Sequence, residues 1–188
     1  MIITREALVK SRACKDGLEF FDEHFPAGEA TQEVVFSAIA KYAPTTSWQA
    51  WLARKLRLTA TCQILYSDGQ PRAEETYVEG NLHGQRRTWY SDGNPCEEET
   101  YVDGKLHGQR RTWHPDGQPC EEETYVDCNL HGLRRTWWAD GKLCEEENYV
   151  EGKLHGLCRY WYSDAGKPCE EETWDHGVRI SSVYGGSR

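Results

Sequence analysis

A repeat of twenty-four residues dominates the second half of this sequence. Segments with the pattern TYVEGNLHGQRRTWYSDGNPCEEE begin at Thr76, Thr100 and Thr124, and a fourth copy begins at Asn148 with one inserted residue, Ala165 or Gly166. Self-similarity at a fixed period is typical of arrays in which each unit packs against its neighbours. We therefore expect a repetitive fold in this half of the chain, and not a single globular core.

Turn signals occur twice within most units and predict hairpins. An acidic residue followed by Gly comes first, and a triplet such as Ser91-Asp92-Gly93 comes about a dozen residues later. Gly after Asp supplies the positive φ of a tight turn, and the intervening segments are rich in Thr, Tyr, Trp and Val. The predicted fold class is α+β, with a small helical bundle at residues 1–57 and, at residues 58–188, an elongated antiparallel β-meander of about eleven strands.

A two-residue turn at Asp92-Gly93 would fix which residues face each other across the first complete hairpin. The pairs predicted there and in the next two units are Trp89 with Cys96, Arg87 with Glu98, Arg86 with Glu99, Arg110 and Arg111 with Glu123 and Glu122, and Arg134 and Arg135 with Glu147 and Glu146. We expect these charges to form solvated ladders across the sheet. Each exposed pair would contribute only about 0.2–1 kcal/mol.

Aromatic residues recur at the same period. The two predicted columns are Trp89, Trp113, Trp137 and Trp161, and Tyr77, Tyr101, Tyr125, Tyr149 and Trp174. Because Leu and Ile are scarce in this half, we expect the rings to form its core, and the alternative is an exposed aromatic face that recognises protein. The candidate partner-binding residues are Glu98, Glu122, Glu146, Glu171, Arg87, Arg111, Arg135, Tyr90, His114, Trp138 and Tyr162.

The first fifty-seven residues show apolar residues at helical spacing. The predicted helices are 4–12, 15–24, 31–42 and 47–57, with Thr31 and Ser47 as N-caps and Pro26 and Pro44 between helices. So small a bundle is marginal alone, and a repeat array needs a cap. We expect the bundle to dock on the first strand of the sheet and protect its edge.

Charge divides the two halves. Residues 1–57 carry a net charge of +1, and residues 58–188 carry −10. An acidic half argues against direct nucleic-acid binding, which relies on clustered Lys and Arg, and favours a basic protein partner. We expect a cytoplasmic protein without membrane association, because no apolar run reaches about 18 residues and the N-terminus lacks the apolar core of a signal peptide.

No residue pattern indicates chemistry. His83, His107, His131 and His155 recur in Leu-His-Gly turns, but equivalent atoms two strands apart lie about 9.6 Å from each other, too far to share a metal ion. The eight Cys residues lack CxxC spacing and are expected to be free thiols. We therefore predict no catalytic residue, no cofactor, no metal site and no enzymatic activity.

The pattern YxDGKLHGxxxxWxxDGKxxEEExY, between residues 63 and 178, resembles the MORN repeat variant of bacterial proteins often labelled as antitoxins. That resemblance implies a meander of hairpins. The segment ACKDGLEFFDEHFPAGEA resembles a helical module of phage and mobile-element proteins, which implies a phage or prophage origin.

The hypothesis is a non-catalytic protein-binding repeat protein that inhibits a host defence complex, in an anti-CRISPR-like or other anti-defence role, through an extended acidic and aromatic face. The first alternative is an antitoxin or immunity protein that neutralises a cognate toxin. The second is a self-assembling scaffold in which the open edge near Val178 to Tyr184 pairs with another copy. Cys128, Cys158 and His114 depart from the repeat, and these departures indicate either a specialised surface or drift in a decaying repeat.

Overall fold

The computed structural model describes residues 1–163 and 168–185. The chain divides into two compact units, Met1–His83 and Gly84–Arg188. The inserted residue of the fourth repeat, Ala165 or Gly166, lies outside the described residues. In the part of the chain that the structure describes, no helix is both long and apolar enough to cross a membrane.

The first unit contains all the helices of the described residues and one long hairpin. Its elements are β1 (Ile2–Thr4), α1 (Arg5–Lys10), α2 (Lys15–His24), β2 (Glu29–Thr31), α3 (Gln32–Tyr42), α4 (Trp48–Lys55), β3 (Ala60–Leu65), β4 (Pro71–Val78) and β5 (Asn81–Leu82). The four predicted helices are confirmed. The small sheet formed by β1 and β2 was not predicted, because strands of three residues are too short to show a periodic pattern.

Capping explains where two of the helices begin. The Thr4 hydroxyl accepts a hydrogen bond from the Ala7 N–H at 3.1 Å at the start of α1. Thr31 accepts from the Val34 N–H at 3.4 Å at the start of α3, as predicted. Ser47 occupies the N-cap position of α4, but its side chain makes no cap bond to a described residue, so only its position was predicted correctly.

The first unit has an apolar core shared by helices and hairpin. Its members include Ile3, Leu8, Phe21, Val35, Ile39, Leu52, Leu58, Cys62 and Tyr77. Cys62 and Tyr77 come from β3 and β4, so the helices pack on the first hairpin. The buried Gln49 ties three elements together, because its amide donates to the Phe36 carbonyl at 2.9 Å and accepts from the Gln63 N–H at 3.1 Å.

The described residues of the second unit form one antiparallel sheet. Its strands are β6 (Gly84–Trp89), β7 (Pro95–Val102), β8 (Lys105–Trp113), β9 (Pro119–Val126), β10 (Asn129–Leu130), β11 (Gly132–Trp137), β12 (Leu143–Val150), β13 (Lys153–Leu154), β14 (Gly156–Tyr160), β15 (Glu170–Asp175) and β16 (Val178–Tyr184). The long strands follow one another in chain order from β6 to β16. With β3 and β4 they make eleven, as predicted, and β5, β10 and β13 add three short strands.

The hairpin turns are one residue longer than predicted. Tyr90 donates its N–H to the Asn94 carbonyl at 2.8 Å, and Gly93, at φ +88°, donates to the Tyr90 carbonyl at 3.0 Å. The turn therefore has three residues, and Trp89 pairs with Pro95; the predicted pairing with Cys96 was wrong. A β-bulge next to Thr88 absorbs the additional residue on the returning strand.

The predicted register of the charged residues is confirmed, because the bulge compensates for the longer turn. The pairs observed are Arg86 with Glu99, Arg87 with Glu98, Arg110 with Glu123, Arg111 with Glu122, Arg134 with Glu147 and Arg135 with Glu146. The eight cysteines are free thiols in the described part of the chain.

Candidate functional site

Successive Arg residues in β6, β8 and β11 lie on opposite faces of the sheet, since side chains alternate along a strand. We call one set the buried ladder: Arg86, Arg110 and Arg134 with Glu97, Glu99, Glu121, Glu123, Glu145 and Glu147. We call the other set the exposed ladder: Arg87, Arg111, Arg135 and Arg159 with Glu98, Glu122, Glu146 and Glu171.

Each central Arg of the buried ladder contacts several carboxylates. Arg110 lies 2.7 Å from Glu97, 3.6 Å from Glu99, 3.2 Å from Glu121 and 2.8 Å from Glu123. Burial alone would lower the pKa of Arg110, but hydrogen bonds to Glu123 and Glu97 raise it, so the guanidinium stays charged. Its contacts join β8 to both neighbouring strands.

Tyrosines complete the buried ladder. The Tyr101 hydroxyl donates to Glu99 at 3.1 Å, and the Tyr125 hydroxyl donates to Glu123 at 3.0 Å. Burial, followed by the nearby carboxylates, raises the pKa of both tyrosines to about 12. Glu99 and Glu123 therefore each accept one hydrogen bond from the hydroxyl of the Tyr two residues later in the same strand. Each also accepts a hydrogen bond from an Arg of a neighbouring strand.

The expectation that all the Glu and Arg runs are solvated was wrong for this face. Glu99, Glu123 and Glu147 are buried, and Glu123 is only 4% exposed. The expectation of a mainly aromatic core in the repeats was also incomplete, because Tyr101 and Tyr125 are half-buried beside these carboxylates. Multiple hydrogen bonds to each charge are what make such burial tolerable.

The buried ladder changes composition in the fourth repeat. Cys158 occupies the position of the Arg residues and is fully buried opposite Glu172. Arg179 of β16 pairs with Glu172 at 2.7 Å, and the Tyr160 hydroxyl donates to Glu147 at 3.2 Å. Burial raises the pKa of the Cys158 thiol, and the two carboxylates add to the effect. Arg179 and Tyr160 thus take over the role of the missing guanidinium.

The exposed ladder collects seven of the predicted partner-binding residues on one face. The ion pairs are Arg87 with Glu98 at 3.0 Å, Arg111 with Glu122 at 2.8 Å, Arg135 with Glu146 at 3.0 Å, and Arg159 with Glu171 at 3.0 Å and with Glu146 at 3.2 Å. The Arg side chains are between 37% and 45% exposed. These charges remain accessible to a partner.

The other four predicted residues lie just after the ends of strands. They are Tyr90 after β6, His114 after β8, Trp138 after β11 and Tyr162 after β14. The Tyr90 hydroxyl donates to the Trp113 carbonyl at 2.8 Å, and His114 Nε2 lies 3.4 Å from the Trp137 carbonyl. These two side chains therefore link successive repeats. Trp138 is 40% exposed and Tyr162 is 67% exposed, so the rings become more accessible toward the end of the array.

Two grooves beside the exposed ladder were missed by the sequence analysis. One, of about 290 Å³, is lined in part by Arg87, Trp89, Pro95 and Trp113. Its counterpart one repeat later, of about 310 Å³, is lined in part by Arg111, Trp113, Pro119 and Trp137. Trp113 lines both grooves. The lining depends on the β-bulges that pair Trp89 with Pro95 and Trp113 with Pro119, and the sequence pattern did not predict these bulges.

Three possible metal ligands also lie together, at the last tight turn. Donor atoms of His155, Asp175 and His176 all lie within 4.8 Å of one another. The cluster joins a histidine of one repeat to the turn of the next repeat, a contact that the spacing of equivalent histidines does not predict.

The repeats match a known family. Residues 82–103, 106–127 and 130–151 match the family model described as MORN repeat variant. Three repeats of this chain thus match the MORN repeat variant. The resemblance predicted from the turns and aromatics is confirmed at these three repeats. MORN repeats are non-enzymatic and generally bind proteins or membranes, which is compatible with a non-catalytic repeat protein.

Comparisons with whole proteins add little. No curated protein matches this chain. Among solved structures, the Glycosylation Associate Protein (Gap123) complex from Streptococcus agalactiae is 11% identical with a TM-score of 0.32, and 56% of this chain covers 19% of that chain. TarM is 15% identical with a TM-score of 0.35, and 81% of this chain covers 27% of it.

A mutant of S. aureus TarM in complex with Fondaparinux, alpha-GlcNAc-glycerol and UDP is 14% identical with a TM-score of 0.33, and 89% of this chain covers 29% of it. The chain thus spans less than a third of the length of these structures. Likeness at this level supports no statement about function.

Proposed function

We propose that this MORN-repeat protein is non-catalytic and binds a basic protein segment along the exposed ladder. The observation that carries the proposal is the gathering of Arg and Glu pairs on one accessible face, in register over four repeats. A periodic face provides many equivalent contacts, and it suits an extended partner better than a small substrate.

The grooves supply the apolar part of the proposed interface. Trp and Arg are the side chains most enriched among residues that dominate binding energy. Trp113 lines two neighbouring grooves, with Arg87 in one and Arg111 in the other. A partner that places apolar side chains in both grooves would bury this indole from two sides while its basic residues meet Glu98 and Glu122.

Net charge defines the chemistry of the partner. Residues 58–188 carry a net charge of −10, which attracts a basic surface over a distance and speeds its association. For a phage-encoded protein, the proposed partner is a component of a host defence complex that is blocked sterically. A cognate toxin with a basic surface is the alternative partner.

The test is capture of the partner by the tagged full-length protein, followed by measurement of its dissociation constant. The ladder variant combines Glu98→Lys, Glu122→Lys and Glu146→Lys. The control variant combines Glu19→Lys, Glu23→Lys and Glu29→Lys, which changes the net charge equally at exposed positions of the first unit. We expect the ladder variant to weaken binding at least tenfold while the control retains most of its affinity. Equal loss in both variants, or in neither, would refute the ladder as the binding surface.

A second candidate function is self-assembly through β16. This strand ends the sheet and exposes Val178, Ile180, Val183 and Tyr184, each at least 63% exposed. Unguarded edge strands pair readily with other copies. Light scattering on the wild type and on Ile180→Lys with Val183→Lys separates the two ideas. A concentration-dependent oligomer that the lysines abolish favours self-assembly, whereas a monomer in both favours the binding module.

A further inference from the structure

The tight turn between β15 and β16 brings two imidazoles and one carboxylate together. Asp175 Oδ1 lies 3.3 Å from His155 Nδ1 and 2.6 Å from His176 Nδ1. The two imidazole rings are 4.6 Å apart between centroids. All three donor atoms lie within 4.8 Å of one another, and both members of the turn are exposed.

The repeat itself explains why three donors meet at this turn. Gly177 donates its N–H to the Leu154 carbonyl at 2.8 Å, which places the turn beside the Leu-His-Gly segment of the preceding repeat. Gly152 makes the same bond to Leu130 at 2.8 Å one repeat earlier. Each such turn is therefore held next to the histidine of the repeat before it.

Only the side chains distinguish the last turn from the one before. The earlier turn carries Val150 and Glu151, where the last carries Asp175 and His176. Glu151 and His176 have nearly the same backbone conformation, with φ of +50° and +47°. Replacing an apolar residue by Asp and an acidic residue by His adds two ligands that zinc accepts beside a histidine already in place.

We propose that His155, Asp175 and His176 bind a zinc ion. Two imidazole nitrogens and one carboxylate oxygen form a ligand set that zinc uses where a fourth position stays open to water. Zinc bonds of about 2.0–2.2 Å place neighbouring ligand atoms about 3.4 Å apart, which agrees with the 3.3 Å between Asp175 Oδ1 and His155 Nδ1. The 2.6 Å hydrogen bond between Asp175 Oδ1 and His176 Nδ1 must open when the ion binds. Magnesium and calcium prefer oxygen ligands and are not expected to compete.

The loss variant combines Asp175→Val with His176→Glu, which recreates the residues of the preceding turn and so preserves the fold. Isothermal titration of the full-length wild type with zinc chloride, under reducing conditions, should show one site of this type, and the variant should bind at least tenfold more weakly. His131→Gln, one repeat earlier, is the matched control and should bind as the wild type does. Equal zinc binding by the wild type and the loss variant would overturn the proposal.

The gain variant combines Val150→Asp with Glu151→His and builds the same three donors around His131. We expect two zinc ions per chain in this variant. A stoichiometry unchanged from the wild type would show that turn geometry does not assemble the ligands and would contradict the proposal.

Cobalt separates this site from the free thiols. Thiolate ligands give cobalt an intense charge-transfer band that imidazole and carboxylate lack. We expect the wild type to bind one cobalt ion without that band, and the loss variant to lose this binding. A cobalt spectrum showing only thiolate ligation would assign the metal to cysteine and refute the His-Asp-His site.

Discussion

The two charge ladders use the same residue types at adjacent positions of the same strands, yet they have different environments. Arg110, in the buried ladder, contacts four carboxylates, whereas its neighbour Arg111 forms its ion pair with Glu122 in the exposed ladder. The comparison teaches that residue identity does not determine the role of an ion pair here. Burial and the number of partners assign one ladder to stability and leave the other available for recognition.

The largest expected effect is from Arg110→Ala. Removing this guanidinium leaves Glu97 and Glu99 with Arg86 alone, and Glu121 and Glu123 with Arg134 alone. Losing one of two cations at each of these shielded carboxylates should lower the free energy of unfolding by about 3 kcal/mol. Arg111→Ala is the matched control and should cost less than about 1 kcal/mol. Urea unfolding of both variants measures the difference. Equal losses would mean that the two ladders are energetically alike.

A second prediction concerns the tyrosines of the buried ladder at high pH. The pKa of Tyr101 and of Tyr125 is raised to about 12 in the folded state, from an ordinary value of 10.0. The folded protein therefore retains these protons where the unfolded chain loses them. The stabilisation is complete below pH 10 and should be lost progressively as the pH rises toward 12.

Urea unfolding across that pH window, with tyrosinate absorbance as a second observable, checks the sign. The double variant Tyr101→Phe and Tyr125→Phe should show a smaller decline in unfolding free energy over the same window. A decline of unchanged size would assign the pH dependence to residues outside this pair.

A smaller effect on stability is expected from a turn residue with a left-handed backbone conformation. Cys128 has a φ of +68°, at the position where other repeats carry Gly80, Gly104 and Gly152. A side chain in this conformation costs about 1 kcal/mol, so Cys128→Gly should raise the free energy of unfolding by up to that amount. Gly104→Cys is the reciprocal control and should lower it. Thermal unfolding of the pair will contradict this account if both changes act in the same direction.

The smallest expected effect is that of added salt on the free energy of unfolding, and it should differ between the two ladders. Exposed ion pairs are screened by added salt, and buried pairs much less so. The cost of Arg111→Ala, a few tenths of a kcal/mol, should therefore shrink between low and high sodium chloride. The cost of Arg110→Ala should persist. If salt reduced the costs of both substitutions equally, the two ladders would be equally exposed to solvent.

The period of the repeat was enough to predict the strands and the pairing of their charges. Arg86 with Glu99 and Arg87 with Glu98 follow from counting, because the side-chain period of a strand is two. Counting does not reveal which of the two alternating faces is buried. That choice depends on tyrosine hydroxyls that satisfy the carboxylates two residues before them, and sequence spacing alone does not show such bonds.

Two features of the sites were beyond sequence reasoning for separate physical reasons. The grooves around Trp113 depend on a β-bulge that shifts the pairing of each Trp by one residue, and residue spacing alone does not reveal such a shift. The cluster of His155, Asp175 and His176 depends on contact between turns of successive repeats. Equivalent histidines were compared only with one another, at the repeat spacing, so the neighbouring turn was not considered as a source of ligands.

The register of the last repeat has a consequence for how such arrays evolve. The fourth repeat carries an inserted residue before β15, yet Cys158 still pairs with Glu172 and Arg159 with Glu171, the equivalents of the pairs one repeat earlier. The additional residue thus leaves the register of the flanking strands unchanged. Units can therefore be duplicated or altered near their turns without exchanging the buried ladder for the exposed ladder.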